Sequence, residues 1–373
     1  MVESLHRSTR IIVHKKAIQE NIANELARLP KGRELFAVVK ANGYGHGAVA
    51  VAQAAIAGGA TGLCVATIDE GIQLREAGFT EPILILGVIS PLYLPLVAEY
   101  QLAFPVGSLA WLTKAAKFLQ ETPVAQPLLV HLKVDSGMGR IGFSTPVEVS
   151  EAVAKIAQIP QIVFEGIFTH FATADEAETS YYETQAQHFA DCLAILDQLP
   201  RYVHCDNSAS ALWHDQPLGN MVRYGVALYG LNPSGGVLEA SYPLQPALEL
   251  VSRLVQVKQV AAGTGIGYGK TYTSSQDEWI GTVPIGYADG WIRKMQGFKV
   301  LVAGQFCEIV GRVCMDQIMI RLPQAFPEDT LVTLVGENGG QRITLQDVAD
   351  QQETIHYEVA CLLSSRIPRE YID

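Results

Sequence analysis

The chain has 373 residues, a length that suggests two or three domains. Hydrophobic residues make up 49% and charged residues 17%, which supports a large core and argues against a disordered chain. The formal net charge is −11 and no Lys/Arg cluster exceeds a few residues, so nothing resembles a basic footprint for nucleic acid.

The N-terminal MVESLHRSTRIIVHKK lacks the apolar centre of a signal peptide. The most apolar stretch, Pro82 to Val97, is cut by Pro91 and Pro95 and is too short to span a bilayer. Cys64, Cys192, Cys205, Cys307, Cys314 and Cys361 are scattered without a C-x-x-C pair, which favours reduced thiols over a disulfide framework or a zinc site. The expectation is a soluble cytoplasmic protein with no metal and no membrane segment.

Short apolar runs then alternate with helical patterns. Strands are expected at Leu35 to Lys40, Gly62 to Ala66, Pro82 to Leu86, Leu102 to Val106, Pro127 to Val134, Ile162 to Phe168, Tyr202 to Cys205 and Met221 to Tyr224. Continuous apolar runs suit strands buried on both faces. Helices are expected at Ala48 to Ala57, which ends at Gly58-Gly59, at Asp69 to Ala77, and at Tyr181 to Leu199. Eight such units in about 230 residues fit a (β/α)8 barrel, with a doubly wound sheet as the alternative. After Asn232 to Gly236 the pattern changes to β-branched runs separated by Gly, Asp and Pro, which predicts a separate β-rich domain. Two short helices are expected within it, Leu345 to Asp350 and Tyr357 to Leu363. The domains expected are a barrel over 9–236 and a β-rich domain over 237–373 joined by residues 1–8.

Barrel active sites lie at the C-terminal ends of the strands. The polar residues ending the expected strands are Lys40, Asp135, His170, the run Asp206-Asn207-Ser208, and Arg223. A lysine at the barrel mouth is partly desolvated, which lowers its pKa and suits Schiff-base or nucleophilic chemistry. The plainer possibility is a lysine extending to solvent from a strand end. His170 by itself is as readily a satisfied hydrogen-bonding residue, and Arg223 a structural partner of Asp206. Ser208 and Gly225 stand where barrels often bind phosphate. Gly269-Lys270-Thr271 resembles the end of a P-loop, but Thr264 occupies the position of the first glycine. His204-Cys205-Asp206 is dense in ligand types, but neighbours in a strand point to opposite faces, which disfavours a metal.

At these residues a resemblance emerges. AVVKANGYGHG (Ala37 to Gly47), LKVDSGMGRIGF (Leu132 to Phe143), HCDNSA (His204 to Ala209) and MVRYGVALYG (Met221 to Gly230) resemble segments of alanine racemases. So do GYGKTY (Gly267 to Tyr272), PIGYADG (Pro284 to Gly290), GRVCMDQ (Gly311 to Gln317) and HYEVACLLSSRIPR (His356 to Arg369). The matches run in family order over nearly the whole chain. Ser364-Ser365 departs from a frequent Gly-Ser pair, away from the chemistry.

The resemblance implies a homodimer with shared sites, pyridoxal 5'-phosphate as cofactor, and interconversion of L- and D-alanine that supplies D-alanine for peptidoglycan. Lys40 would carry the cofactor. Tyr44, Ser208, Gly225, Val226 and Tyr357 would hold its phosphate. Arg223 would face the pyridine nitrogen, supported by His170. Arginine stays protonated, so the ring nitrogen would not be. Racemisation needs a base on each face of Cα, and Lys40 and the partner's Tyr268 would supply them. Arg140 and the N–H of the partner's Met315 would orient the cofactor phenolate and the substrate carboxylate. Lys133, often carbamylated in the family, would brace Arg140. Tyr287 would line the access path, and Asp316, beside Met315, would support the site. A broad-specificity or serine racemase of the same fold is the main alternative. A decarboxylase is disfavoured by GYADG and GRVCMDQ, and a non-catalytic pyridoxal-phosphate-binding protein by the β-rich domain.

Overall fold

The computed structural model describes residues 2–214 and 218–373. The strands are β1 (Arg10–His14), β2 (Glu34–Val38), β3 (Gly62–Val65), β4 (Ile83–Ile85), β5 (Phe104–Val106), β6 (Leu128–Lys133), β7 (Ile162–Phe168), β8 (Tyr202–His204) and β9 (Met221–Tyr224) in the first part. Those of the second part are β10 (Leu248–Arg253), β11 (Gln256–Val260), β12 (Gly265–Ile266), β13 (Tyr272–Thr273), β14 (Glu278–Val283), β15 (Lys299–Val302), β16 (Gln305–Glu308), β17 (Ile318–Leu322), β18 (Leu331–Asn338), β19 (Gln341–Ile343) and β20 (Arg369–Ile372).

Strands β2 to β9 form the barrel. β4, β3, β2 and β9 are one parallel run, and β5, β6, β7 and β8 another. Leu84 pairs with Ala103 to join β4 to the β5 side. The amides of Asn220 and Arg223 donate to the carbonyls of Val203 and Asp206 at 2.9 and 3.0 Å, which joins the β8 side to β9. The strands are mostly apolar, and β3, β4, β5, β8 and β9 are buried from end to end, His204 and Arg223 included. Helices connect the strands, several with side-chain caps. Thr67 and Glu70 cap the helix Ile68–Glu76 reciprocally, and Thr145 and Glu148 do so for Pro146–Ile156.

All eight expected runs overlap a barrel strand, seven of them containing it whole while β2 begins one residue early at Glu34, and the helix expected at Ala48 to Ala57 spans those same residues. The domain limits differ from expectation. Two compact units comprise residues 17–43 with 48–245, and residues 1–16, 44–47 and 246–373. Residues 9–16 leave the barrel because β1 pairs antiparallel with β10, Ile11 opposite Leu250, and parallel with β20. Residues 237–245 stay with the barrel unit because Asn21 bonds both backbone groups of Gln245 at 2.8 Å and Tyr242 donates to Glu25 at 2.9 Å.

The β-rich unit holds a sheet in the order β16, β15, β18, β10, β1, β20, with β19 on β18, and a second of β11, β14 and β17. The expected run LELVSRLVQVKQV breaks at Leu254-Val255, so that β10 enters the first sheet and β11 the second. The helices expected near its C-terminus are Leu345–Gln352 and His356–Leu362.

Candidate active site

Lys40 does not close a strand, contrary to expectation. β2 stops at Val38, and Lys40 opens a turn in which Ala41, Asn42 and Gly43 adopt φ of 53, 53 and 60°. Left-handed backbone costs a non-glycine residue about 1–2 kcal/mol, so a run of it persists only where surrounding bonds over-determine it. Three do so here. The amide of Gly43 donates to Val39 at 2.8 Å, that of Ala48 to Asn42 Oδ1 at 3.0 Å, and that of Ala41 to Glu70 Oε1 at 2.8 Å. Glu70 is the capping-box carboxylate of the helix Ile68–Glu76, so a helix N-terminus fixes the backbone next to Lys40.

Arg223, on β9, is 4% exposed. Its guanidinium donates to His204 Nδ1 at 2.6 Å, to the carbonyls of Thr169 and Cys205 at 2.8 and 3.1 Å, and towards His170 Nδ1 at 3.4 Å. Asp206 is not its structural partner: that carboxylate pairs with Arg33 at 3.2 Å. Behind His204 the bonds continue, with His204 Nε2 2.7 Å from His131 Nδ1, and His131 Nε2 3.2 Å from Glu165. Arginine only donates and an ionised carboxylate only accepts. Both imidazoles are therefore neutral, each protonated on Nε2 and accepting on Nδ1. Burial pushes both histidines below the usual imidazole range, in keeping with that state. Gly166 is required beside the chain of bonds, because a Cβ there would lie 2.4 Å from the His131 ring.

His170 is pushed well below the ordinary range by burial, then by Arg223, Arg140, Lys133 and Lys40. The positive groups near it thus add to burial in keeping His170 neutral. Burial also lowers Lys133 to about 7, and its Nζ donates to Val134 at 2.5 Å. Asp135 accepts the amides of Gly137, Gly139 and Arg140 at 3.0–3.1 Å, which sets the loop carrying Arg140. Ser208 Oγ, buried, accepts the amides of Gly225 and Ala227 at 2.8 and 3.3 Å, with Val226 heading the short 3-10 turn that follows. The hydroxyl and the two amides are thereby gathered at the start of this turn.

In the β-rich unit Tyr44 and Tyr357 are ring neighbours, 6.3 Å between centroids. Tyr268, in the turn after Gly267, lines a cleft of about 680 Å³ with Lys258, Cys314, Gln317 and Met319. Tyr287 and Met315 are on adjoining loops: the Tyr287 amide donates to Cys314 and that of Ala288 to Met315, both at 3.0 Å. Asp316 pairs with Arg366 at 2.7 Å. Tyr268, Tyr287 and Met315 are all exposed.

An alanine racemase N-terminal domain model matches residues 13–233, and the corresponding C-terminal domain model residues 247–371. The chain belongs to the alanine racemase family. It is accordingly an isomerase that uses pyridoxal phosphate. It is 59% identical over 370 residues to an alanine racemase of Lactiplantibacillus plantarum, covering 99% of this chain and 98% of that one. The solved alanine racemase of E. faecalis is 60% identical, with a TM-score of 0.97 and full coverage of both chains. A histidine racemase of Leuconostoc mesenteroides is 32% identical, with a TM-score of 0.92, also over the full length of both.

Sequence reasoning missed His131, Glu165 and Glu70. A signal existed for the first: His131 lies two residues from Lys133 in an apolar run, so the two share a strand face. Glu70 was visible as the third residue after Thr67, but its reach to Ala41 depends on the fold.

Proposed function

We propose that this chain interconverts L- and D-alanine by moving a proton between the two faces of Cα, with Lys40 serving one face and Tyr268 of a second copy the other. The observation that carries the reading is Arg223, a buried guanidinium at the barrel mouth that donates to His204 Nδ1 at 2.6 Å and to the carbonyls of Thr169 and Cys205 at 2.8 and 3.1 Å. Such a site calls for a small, strongly anionic ligand. The donor set fits pyridoxal phosphate: the amides gathered at Ser208 suit phosphate, and Arg223 offers the ring nitrogen a donor only. When bound, that group supplies the electron sink that acidifies Cα–H. The protein's part is to keep Arg223 charged, so that the sink stays weak and the proton returns to Cα. His204 and His170 hold the guanidinium in place.

Arg140 orients the phenolate and Met315 N–H the substrate carboxylate, with Asp316 in support. Lys133 braces Arg140 when carbamylated, its carbamate accepting from the guanidinium, and Tyr287 lines the access path. Tyr44 and Tyr357 join the phosphate grip on the strength of the family pattern. The active unit is a homodimer. Alanine, rather than serine or a broader range, is favoured by identities near 60% with alanine racemases against 32% with a histidine racemase. The D-alanine serves peptidoglycan. A cytoplasmic location is supported by Cys64, Cys192, Cys205 and Cys307, which lie buried as free thiols. Among the described residues no helix is long and apolar enough to cross a membrane.

Borohydride reduction of the cofactor-loaded protein tests the site. The pyridoxyl label is expected on Lys40 in a peptide map; recovery on another lysine overturns the assignment.

A further inference from the structure

PIGYADG contains a residue to which the reading above gives no task. Asp289 is fully buried. Its carboxylate receives a bidentate fork from Arg7, at 2.6 and 2.9 Å, and the amide of Gly286 at 3.0 Å. Arg366 Nε stands 3.5 Å away, and the same guanidinium donates to Asp316 at 2.7 Å. Asp289 also accepts on its backbone, from the Ser364 amide at 3.0 Å. One carboxylate thus binds the N-terminal segment, the C-terminal segment and, through Arg366, the loop after Met315.

The backbone it holds carries Tyr287 and Met315. Asp289 ends the 3-10 turn Tyr287–Asp289, whose amides reach the carbonyls of Cys314 and Met315. Gly286 permits this contact, since a Cβ there would lie 2.3 Å from the Cys314 carbonyl oxygen. The side chains of Tyr287 and Met315 are exposed, so packing against their own unit does little to hold them. Their positions are set through the backbone. A buried carboxylate cannot leave its two arginines without a large desolvation penalty, so the turn has one stable place.

We propose that Asp289 is a positioning residue for substrate capture, acting with Arg7 and Arg366 to register the Tyr287 turn against the Met315 loop. The proposal rests on the reading of Tyr287 and Met315 as substrate-facing groups. It predicts a loss in binding rather than in proton transfer, because none of these bonds ends on Lys40 or Tyr268.

The test uses cofactor-loaded D289N and R366K, with 3-fluorotyrosine placed at position 287. KM for both enantiomers is expected to rise about five- to tenfold with kcat within about threefold of wild type, the pattern of lost uniform binding. The fluorine resonance at 287 is expected to shift or broaden in both variants. R366K keeps the Arg7 fork and relaxes the contacts of residue 366 with Asp289 and Asp316, so it carries the test if D289N does not fold. Variants that lose stability while KM and the fluorine signal stay at wild-type values overturn the proposal. The Y287F variant separates the two readings. If its KM matches wild type while D289N still moves the fluorine signal, Asp289 positions the turn and the role given to Tyr287 is wrong.

Discussion

In the barrel, Lys133, Ser208 and Arg223 are 2%, 5% and 4% exposed, and each is tied to neighbours of its own unit. In the β-rich unit, Tyr268, Met315 and Tyr287 are 69%, 53% and 42% exposed. The first group is preorganised by its own fold. The second has backbone restraints but leaves its side chains uncovered, as expected of groups that act on another surface. Large exposed side chains gathered near a cleft mark an interaction site. The contrast supports the homodimer in the proposed reading, in which the exposed groups of one copy would meet the buried groups of the other.

Complementation is the most severe way to break that comparison. Lys40→Ala and Tyr268→Ala homodimers are each expected to lose at least about a thousandfold in kcat, since each lacks a proton carrier. Mixing the two under subunit exchange creates dimers with one intact site and one lacking both bases. Activity per mixed dimer is expected near about half of wild type for independent sites. Native mass spectrometry confirms that the mixed species formed. Mixed dimers without activity mean that both bases belong to one chain.

Stability provides the next contrast. Arg33→Ala strands the buried Asp206 carboxylate and is expected to cost about 3–5 kcal/mol. Lys294→Ala removes an exposed partner of Glu353 in the β-rich unit and is expected to cost under about 1 kcal/mol. Urea unfolding measures both, and equal costs refute the difference in burial. Acid sharpens the comparison within the β-rich unit. His356 is buried, its Nε2 has no hydrogen-bond partner, and burial lowers it to about 4. The unfolded chain binds that proton near pH 6.5 and the folded chain only near 4, so stability falls as pH drops through this window. The contribution is about 3 kcal/mol between pH 6.5 and 4. His356→Gln is expected to flatten this part of the urea-derived profile.

The barrel strands were legible because strands buried on both faces are written as uninterrupted apolar runs. Strand ends were less so. Lys40 was read as closing a strand because LFAVVK is continuous, yet the left-handed turn that follows is held by Glu70, thirty residues further on. β1 was missed as a barrel-independent element because RIIVH is too short to declare its sheet without its partners β10 and β20. Of the site, residues in the quoted motifs were legible by resemblance. His131 and Glu165 were not, because single polar residues within apolar strands acquire meaning only when other strands bring His204 and Arg223 within bonding distance.

The smallest predicted effect separates stability from positioning at the Lys40 turn. Thr67 Oγ1 accepts the Glu70 amide at 3.3 Å, while Glu70 Oε2 accepts the amides of Ala66 and Thr67 at 2.6 and 3.3 Å. Only Glu70 also reaches Ala41, through Oε1. Thr67→Ala therefore removes a cap bond and nothing at the turn, for an expected loss of about 1 kcal/mol in stability with kcat unchanged. In Glu70→Gln one oxygen becomes an NH2 group, so either the cap or Ala41 loses its acceptor. The stability loss is expected to be about 1–2 kcal/mol, close to that of Thr67→Ala. Activity differs, because loosening a left-handed turn beside Lys40 shifts the amine by a fraction of an ångström. A misplacement of about 1 Å can cost as much as a hundredfold, so a several-fold fall in kcat is expected for Glu70→Gln alone. Equal kcat in the two variants, at matched stability loss, means that the turn holds its shape without Glu70.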